Sequence, residues 1–502
     1  MRKLVLAAAA LVLLRLASAA QDLASFEKRT TVKTLSNGLT VVLSQRPEAP
    51  VFSFFTIVDV GSAQDPRDST GLAHMFEHMA FKGTDQIGTR NWPAEKAALG
   101  KVEEAYAAYT YERHLPAGGD PGKVAELEKA WKAAMTEAQR YVIPNQFDEI
   151  VEANGGVGMN ARTAEDDTAY FYSFPANRFE LWAYLESQRF LHPALREFYK
   201  ERDVVMEERR MRTDSDPIGR LIEQFQAAAF IAHPYHQPAI GWYSDLQTFS
   251  ATDAQKFFDR YYVPSNMVIG IVGDLSPAEA LPVIEKYFGQ LPTRPKPEEI
   301  TTVEPPQNAE RRVVLRGESQ PFYVEAYHRP DYRSADDAVF DAISDIMSNG
   351  RVSRLYRSLV RDKQIAVEAA GFSGLPGVKY PHLFAFYAVP VPGHTPQELA
   401  DGIHAEIERL KSSYVSDEEL RMFKTRAKAD LIRSLADNEG LATELATLQL
   451  RYGDWRELFR QLDRYDKVTK EDIQRVANQI FQPENRTVGI LETNPSAPGG
   501  AQ

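Results

Sequence analysis

The chain has 502 residues, room for roughly two to four domains with sizeable cores, and its 43% hydrophobic and 25% charged residues exclude a disordered bulk. A net charge of −12 excludes a general nucleic-acid binder, whose phosphate-tracking surface needs a basic excess. The absence of cysteine excludes a disulfide framework and thiolate chemistry, so stability has to come from core burial.

The N-terminus, MRKLVLAAAALVLLRLASAAQ, places Arg2 and Lys3 before an apolar run from Leu4 to Leu14 and small residues at Ala17 to Ala20, which predicts a secretory signal peptide over 1–20. Arg15 cuts the run short of the roughly 20 apolar residues that a membrane span needs. Export is therefore expected, to the periplasm if the source is Gram-negative, and no later segment reads as a membrane span.

TVKTLSNGLTVVLSQ (31–45) reads as two strands around the Asn37-Gly38 turn, and VFSFFTIVDVGS as a third. Helical spacing takes over at 68–82, with Leu72, Met75, Phe76, Met79 and Ala80 facing a core and Ser69 or Thr70 as the cap. Residues 92–148 are charged and alanine-rich, broken at LPAGGDPG, and read as an inserted helical hairpin. GGVGMNARTAEDDTAYFYSF resumes as an edge hairpin. Two helical stretches follow up to Arg212, then a strand at 266–274 and a helix from Pro277. The proline-rich stretch 291–308 is a semi-rigid linker. Beyond it the order repeats, with strands at RRVVLRG, FYVEAYHRP and LFAFYAVPV and helices to the end. The expected fold is α+β: two homologous halves, 25–290 and 309–495, each a mainly antiparallel sheet covered by helices.

GLAHMFEHMAFKGT (71–84) carries the chemistry. On a helix His74 and His78, at i and i+4, point the same way and can grip one metal ion, with Glu77 on that face. Two neutral imidazoles and a third protein ligand leave zinc a position for water, and a nearby carboxylate can take that water's proton. His-x-x-Glu-His is the inverzincin pattern. Two histidines meeting by chance is the bland alternative.

GLAHMFEHMAFKGT, with NGLTVVL and VGSAQD before it and NARTAEDDTAYF, ERDVVMEE, HPYHQPAIG and YYVPSNMVIGIVGDL after it, resembles the pitrilysin/insulinase family of zinc metallopeptidases. The likeness is strongest to the bacterial branch similar to the mitochondrial processing peptidase β subunit. The resemblance implies one Zn2+ per chain, with His74, His78 and Glu208 as ligands and Glu77 as general base. It also implies Glu201 as a supporting acidic residue; positions seven apart on a helix share a face, which agrees. Without the resemblance, Glu207 and Glu208 read as a solvated acidic pair beside Arg209 and Arg210. The long interval from His78 to Glu208 is taken up by the 92–148 segment, a lid, a partner-docking surface or a tolerated surface excursion.

The resemblance further implies that a peptide substrate adds as a strand beside Asn160 and Ala161, although Asn160 could equally stabilise a turn. It calls for an arginine and a tyrosine seven residues apart in the C-terminal half. Arg361 fits, but the tyrosine position holds Glu368, or Val367 if one residue is missing; Tyr356 is a possible substitute in another geometry. The chain thus reads as the metal-bearing half of a heterodimer whose related subunit supplies the arginine-tyrosine pair, with a homodimer as the other arrangement. A peptide-binding or structural subunit with little turnover is the alternative function. His233 and His236, flanked by Pro234 and Pro238, read as a structural loop rather than a second metal site.

Overall fold

The computed structural model describes residues 23–493, so the expected signal peptide lies outside the described residues. Two sheets organise the fold. The first holds β1 (Thr30–Thr34), β2 (Thr40–Gln45), β3 (Val51–Val58), β4 (Val157–Thr163), β5 (Thr168–Pro175) and β6 (Met267–Gly273) in the order β1-β2-β6-β3-β5-β4. The second holds β7 (Arg311–Gly317), β8 (Phe322–Arg329), β9 (Ala366–Leu375), β10 (His382–Pro390) and β11 (Arg486–Thr493) in the order β7-β11-β8-β10-β9. Neighbours run antiparallel except β2 with β6 and β7 with β11. The fold is α+β.

Without β1, the first sheet has the order and directions of the second, strand for strand, so the chain is internally duplicated. Residue identity supports this at one place. Pro264, Asn266, Gly270 and Ile271 recur as Pro483, Asn485, Gly489 and Ile490 at a constant offset. Asn266 Nδ2 donates to the carbonyls of Asp59 and Tyr261, and Asn485 Nδ2 to those of His328 and Ile480, so both asparagines tie a helix end to the neighbouring strand. The helices before them open with matching capping boxes, Ser250 with Asp253 and Thr469 with Asp472. This corrects the expectation of helices to the end: β11 is the last element of the described residues, paired on both sides.

Each half lends a helix to the other. The Pro217–Ala229 helix packs on β7 and β11, and the Asn438–Tyr452 helix packs on β3 and β6. The second approach is close enough that a Cβ on Gly270 would lie 2.3 Å from the Ala442 carbonyl oxygen, so only glycine fits. In the first half, Phe52, Phe54, Tyr172 and Trp182 pack beneath the sheet in mainly edge-to-face and tilted contacts.

The 92–148 segment forms a helical hairpin, Trp92–Arg113 and Pro121–Gln139, followed by the Gln146–Ala153 helix. Tyr106 and Trp131 pack against Tyr199 in tilted and edge-to-face contacts, and the buried Arg202 guanidinium lies over all three rings. The hairpin is therefore a wall behind the Phe198–Arg209 helix. Linker residues form neither helix nor strand, but Glu304 accepts the backbone N–H groups of Ile231, Ala232 and His233, which holds the linker to the first half.

Candidate metal centre and active site

The helix that carries His74, Glu77 and His78 spans Leu72–Met79 and buries Leu72, Met75, Phe76 and Met79 as expected, with Ala80 half-buried at its end. Its cap differs from the expectation. Gly71 is the N-cap, with φ of 94°, and Asp65 supplies the carboxylate, accepting from Gly71 N at 2.7 Å and Ala73 N at 2.9 Å. Glycine fits because that left-handed conformation strains a Cβ, and the Thr70 hydroxyl is turned to Asp245 and Trp242 N instead of the helix end.

Glu201 and Glu208 lie two turns apart on the Phe198–Arg209 helix, half-buried and on the face turned to the histidines, while Glu207 is exposed and paired with Arg210. The adjoining face is fixed by Arg202, donating to Tyr106 Oη and the Phe249 carbonyl, and by Arg209, bound to Glu223 and the Gly241 carbonyl.

Glu208 Oε2 lies 3.4 Å from His78 Nε2 and 3.7 Å from His74 Nε2. Donors around a tetrahedral zinc, bonded at about 2.0–2.2 Å, stand about 3.4 Å apart, which the two Glu208 distances match, and the three donor atoms all lie within 4.8 Å of one another. Among the described residues no other group of three metal-ligating side chains comes together in this way. The charges fit as well. Burial, then His78, hold His74 down at about 4, neutral and ready to donate a lone pair. Burial also acts to lower His78, but hydrogen bonds to Glu201 and Glu208 outweigh it and push His78 up to about 9. The two carboxylates thus favour positive charge at this point, and His78 gives up its proton before Nε2 can bind a metal.

Outer contacts orient the trio. His78 Nδ1 lies 3.0 Å from Glu201 Oε1, and Glu201 Oε2 lies 2.5 Å from Lys82 Nζ. Burial acts against the Glu201 charge, yet the hydrogen bonds from His78 and Lys82 hold its pKa at about 2. Arg212 takes Glu208 Oε1 at 2.7 Å, which leaves Oε2 for the histidine side. His74 Nδ1 is buried without a hydrogen-bond partner, so packing alone sets that ring's angle. Glu77 is half-buried beside Thr163 of β4, and burial raises its pKa, as suits a group that accepts and returns a proton. Lys82 and Arg212 are absent from the sequence reading, although both stand at i+4 from a candidate ligand, His78 and Glu208.

Two family models match the chain, "Insulinase (Peptidase family M16)" over residues 40–113 and "Peptidase M16 inactive domain" over 248–426. The chain belongs to the insulinase family. Similar proteins include "Zinc protease PqqE" of Helicobacter pylori, 28% identical over 91% of this chain and 92% of the relative. "Probable mitochondrial-processing peptidase subunit beta" of Schizosaccharomyces pombe is 22% identical over 92% and 91%. A solved structure, "The crystal structure of a protease from Helicobacter pylori", superposes with a TM-score of 0.76 at 27% identity, covering 92% of this chain and 99% of that one.

In this insulinase-family chain Asn160 and Ala161 sit on β4, the outer strand of the first sheet. Asn160 is exposed, Ala161 is buried, and the Asn160 Oδ1 accepts from Ala161 N at 2.9 Å. Arg361 stands in the second half, in the π-helical turn Tyr356–Asp362, exposed and paired with Asp362; among the described residues its ion pair is with Asp362 and not with the histidine site. Glu368 lies on β9 and accepts from Tyr387 Oη of the neighbouring strand at 2.6 Å. His233 and His236 form a loop: His233 Nδ1 accepts from Tyr235 N, and Tyr235 Oη donates to Asp166. Asp166 also receives Val378 N and Lys379 N, joining the β4–β5 turn to the second half. The sequence reading did not include this junction.

Proposed function

We propose that the chain is a zinc-dependent endopeptidase acting on unfolded peptides or short protein segments. The reading rests on one observation, the convergence of His74, His78 and Glu208 with Glu77 one helical turn away and the β4 edge alongside. His74, His78 and Glu208 would hold one Zn2+. When bound, zinc acidifies water and polarises a carbonyl.

Glu201 fixes the His78 ring so that Nε2 faces the ion, and Arg212 fixes the Glu208 carboxylate. The Glu77 carboxylate takes a proton from the attacking water at one of its oxygens and passes it to the departing amide nitrogen. The β4 edge holds the peptide through main-chain hydrogen bonds, which ignore side-chain identity. Asn160 and Ala161 are the strand residues for this, and Arg361 is a peptide contact contributed by the second half. An exported, periplasmic setting follows from the signal-like 1–20 segment if the source is Gram-negative.

A second reading is favoured by Glu368, which occupies the position where the resemblance calls for tyrosine and is already bound by Tyr387. The chain would then turn over little peptide alone and need a related subunit in a heterodimer. Glu77→Gln separates the readings: zinc stays at one per chain and cleavage of a quenched unfolded peptide falls by roughly a thousandfold. Equal slow cleavage by both forms would remove the peptidase assignment. Zinc binding without cleavage by the unaltered chain would favour the two-subunit reading.

A further inference from the structure

Glu201, Val204, Glu208 and Met211 follow one another at intervals of three and four, so they form one stripe along the Phe198–Arg209 helix and the π-helical turn Arg210–Asp214 after it. The helix is otherwise strongly charged, yet Val204 is 46% and Met211 63% exposed. Both line an open groove of about 570 Å³ whose wall also includes Glu208. Of the charged groups at its rim, Lys200 is paired with Glu197, Glu207 with Arg210, and Arg212 with Glu208, which leaves Asp203 without an ion pair among the described residues. Besides Asp203, what remains unmatched is the apolar floor. An exposed, unbranched and polarisable methionine beside a reaction centre makes an adaptable apolar contact.

Resting on the peptidase reading above, we propose that Val204 and Met211 form a specificity subsite that takes a large apolar side chain of the peptide, within about three residues of the bond cut. Three observations place the occupant in the peptide being cut. The groove is continuous with a metal-ligating residue, its rim charges other than Asp203 are already paired, and a strand lying on β4 projects alternate side chains away from the sheet face. The subsite supplies selection by side chain, where the β4 edge supplies only main-chain bonds. Gaining a buried leucine-sized side chain in place of serine corresponds to about tenfold or more in affinity.

The test measures binding separately from cleavage. In the Glu77→Gln background, with zinc loaded, fluorescence anisotropy compares unfolded peptides that carry Leu or Ser at each of three positions on either side of one cleavable bond. Leu at one position should bind about tenfold tighter than Ser. Adding Met211→Asp should bring that ratio close to one, and Met211→Leu should retain it, with zinc stoichiometry unchanged in both. An unchanged ratio in Met211→Asp overturns the proposal, as does loss of zinc. A changed sedimentation coefficient with the ratio intact also overturns it, because the stripe would then be a subunit contact. Cleavage of these peptides by the protein with Glu77 intact reports separately on the peptidase reading, so failure of the subsite and failure of that reading are told apart.

Discussion

Glu201 uses its two oxygens for different purposes: Oε1 meets His78 Nδ1 and Oε2 meets Lys82 Nζ. Only the tautomer with the proton on Nδ1 leaves Nε2 free to bind a metal, so the carboxylate decides how His78 presents itself. Glu201→Gln keeps the shape but removes the charge, and should weaken zinc binding by roughly 10–100-fold in a competition with a chelator. Lys82→Met removes the group that holds Glu201 in place and should weaken it in the same direction by a smaller factor. Unchanged zinc affinity in both variants would show that packing alone orients the ring, as it does for His74.

At the scale of elements, the metal helix and most strands were legible in the sequence because short-range pattern determines them. Leu72, Met75, Phe76 and Met79 repeat at helical spacing, and Asn37-Gly38 marks its hairpin. The cap was misread because Asp65 reaches it across a loop, and β11 was missed because its partners β7 and β8 are far away in sequence. The interlocked helices were beyond reach for the same reason: nothing near Asn438 indicates that its helix covers β3 and β6. Arg361 could be placed in the second half, but whether any half brings it to a peptide is a long-range question. Gly270 gives a test of the interlock. Gly270→Ala would set a methyl against the Ala442 carbonyl, so the helix must shift, at a cost of about 1–3 kcal/mol. Urea unfolding should show the lower midpoint, whereas Gly453→Ala, with nothing near its Cβ but a φ of 72°, should cost only backbone strain of about 1 kcal/mol. Equal losses at the two sites would mean that the helix does not rest on β6.

Across the whole molecule the halves meet where Tyr380 of the second packs on His233 of the first, with ring centroids 4.8 Å apart. His382 is buried close by, its Nδ1 donating to the Tyr380 carbonyl at 3.0 Å. Burial lowers His233 to about 4, although Asp166 and Glu304 pull it upward, and burial with Arg329 lowers His382 to about 3. Both therefore fold neutral. In the unfolded chain each titrates near 6.5, so below that pH the unfolded state binds more protons than the folded one. Their contribution is fully present above about pH 6.5 and is lost as pH falls toward 4 for His233 and 3 for His382, at up to about 1.4 kcal/mol per pH unit each. Unfolding free energy measured between pH 7 and 5 should therefore fall, and His382→Gln should remove roughly half of the slope these two residues supply, whatever it does to stability at pH 7. Because the two imidazoles flank the junction through which the Val378 and Lys379 N–H groups reach Asp166, acid should open this junction before either core melts. Hydrogen exchange at pH 5 should then show the 376–380 segment losing protection earlier than β3 or β8. Simultaneous loss in all three would mean that the halves unfold as one unit.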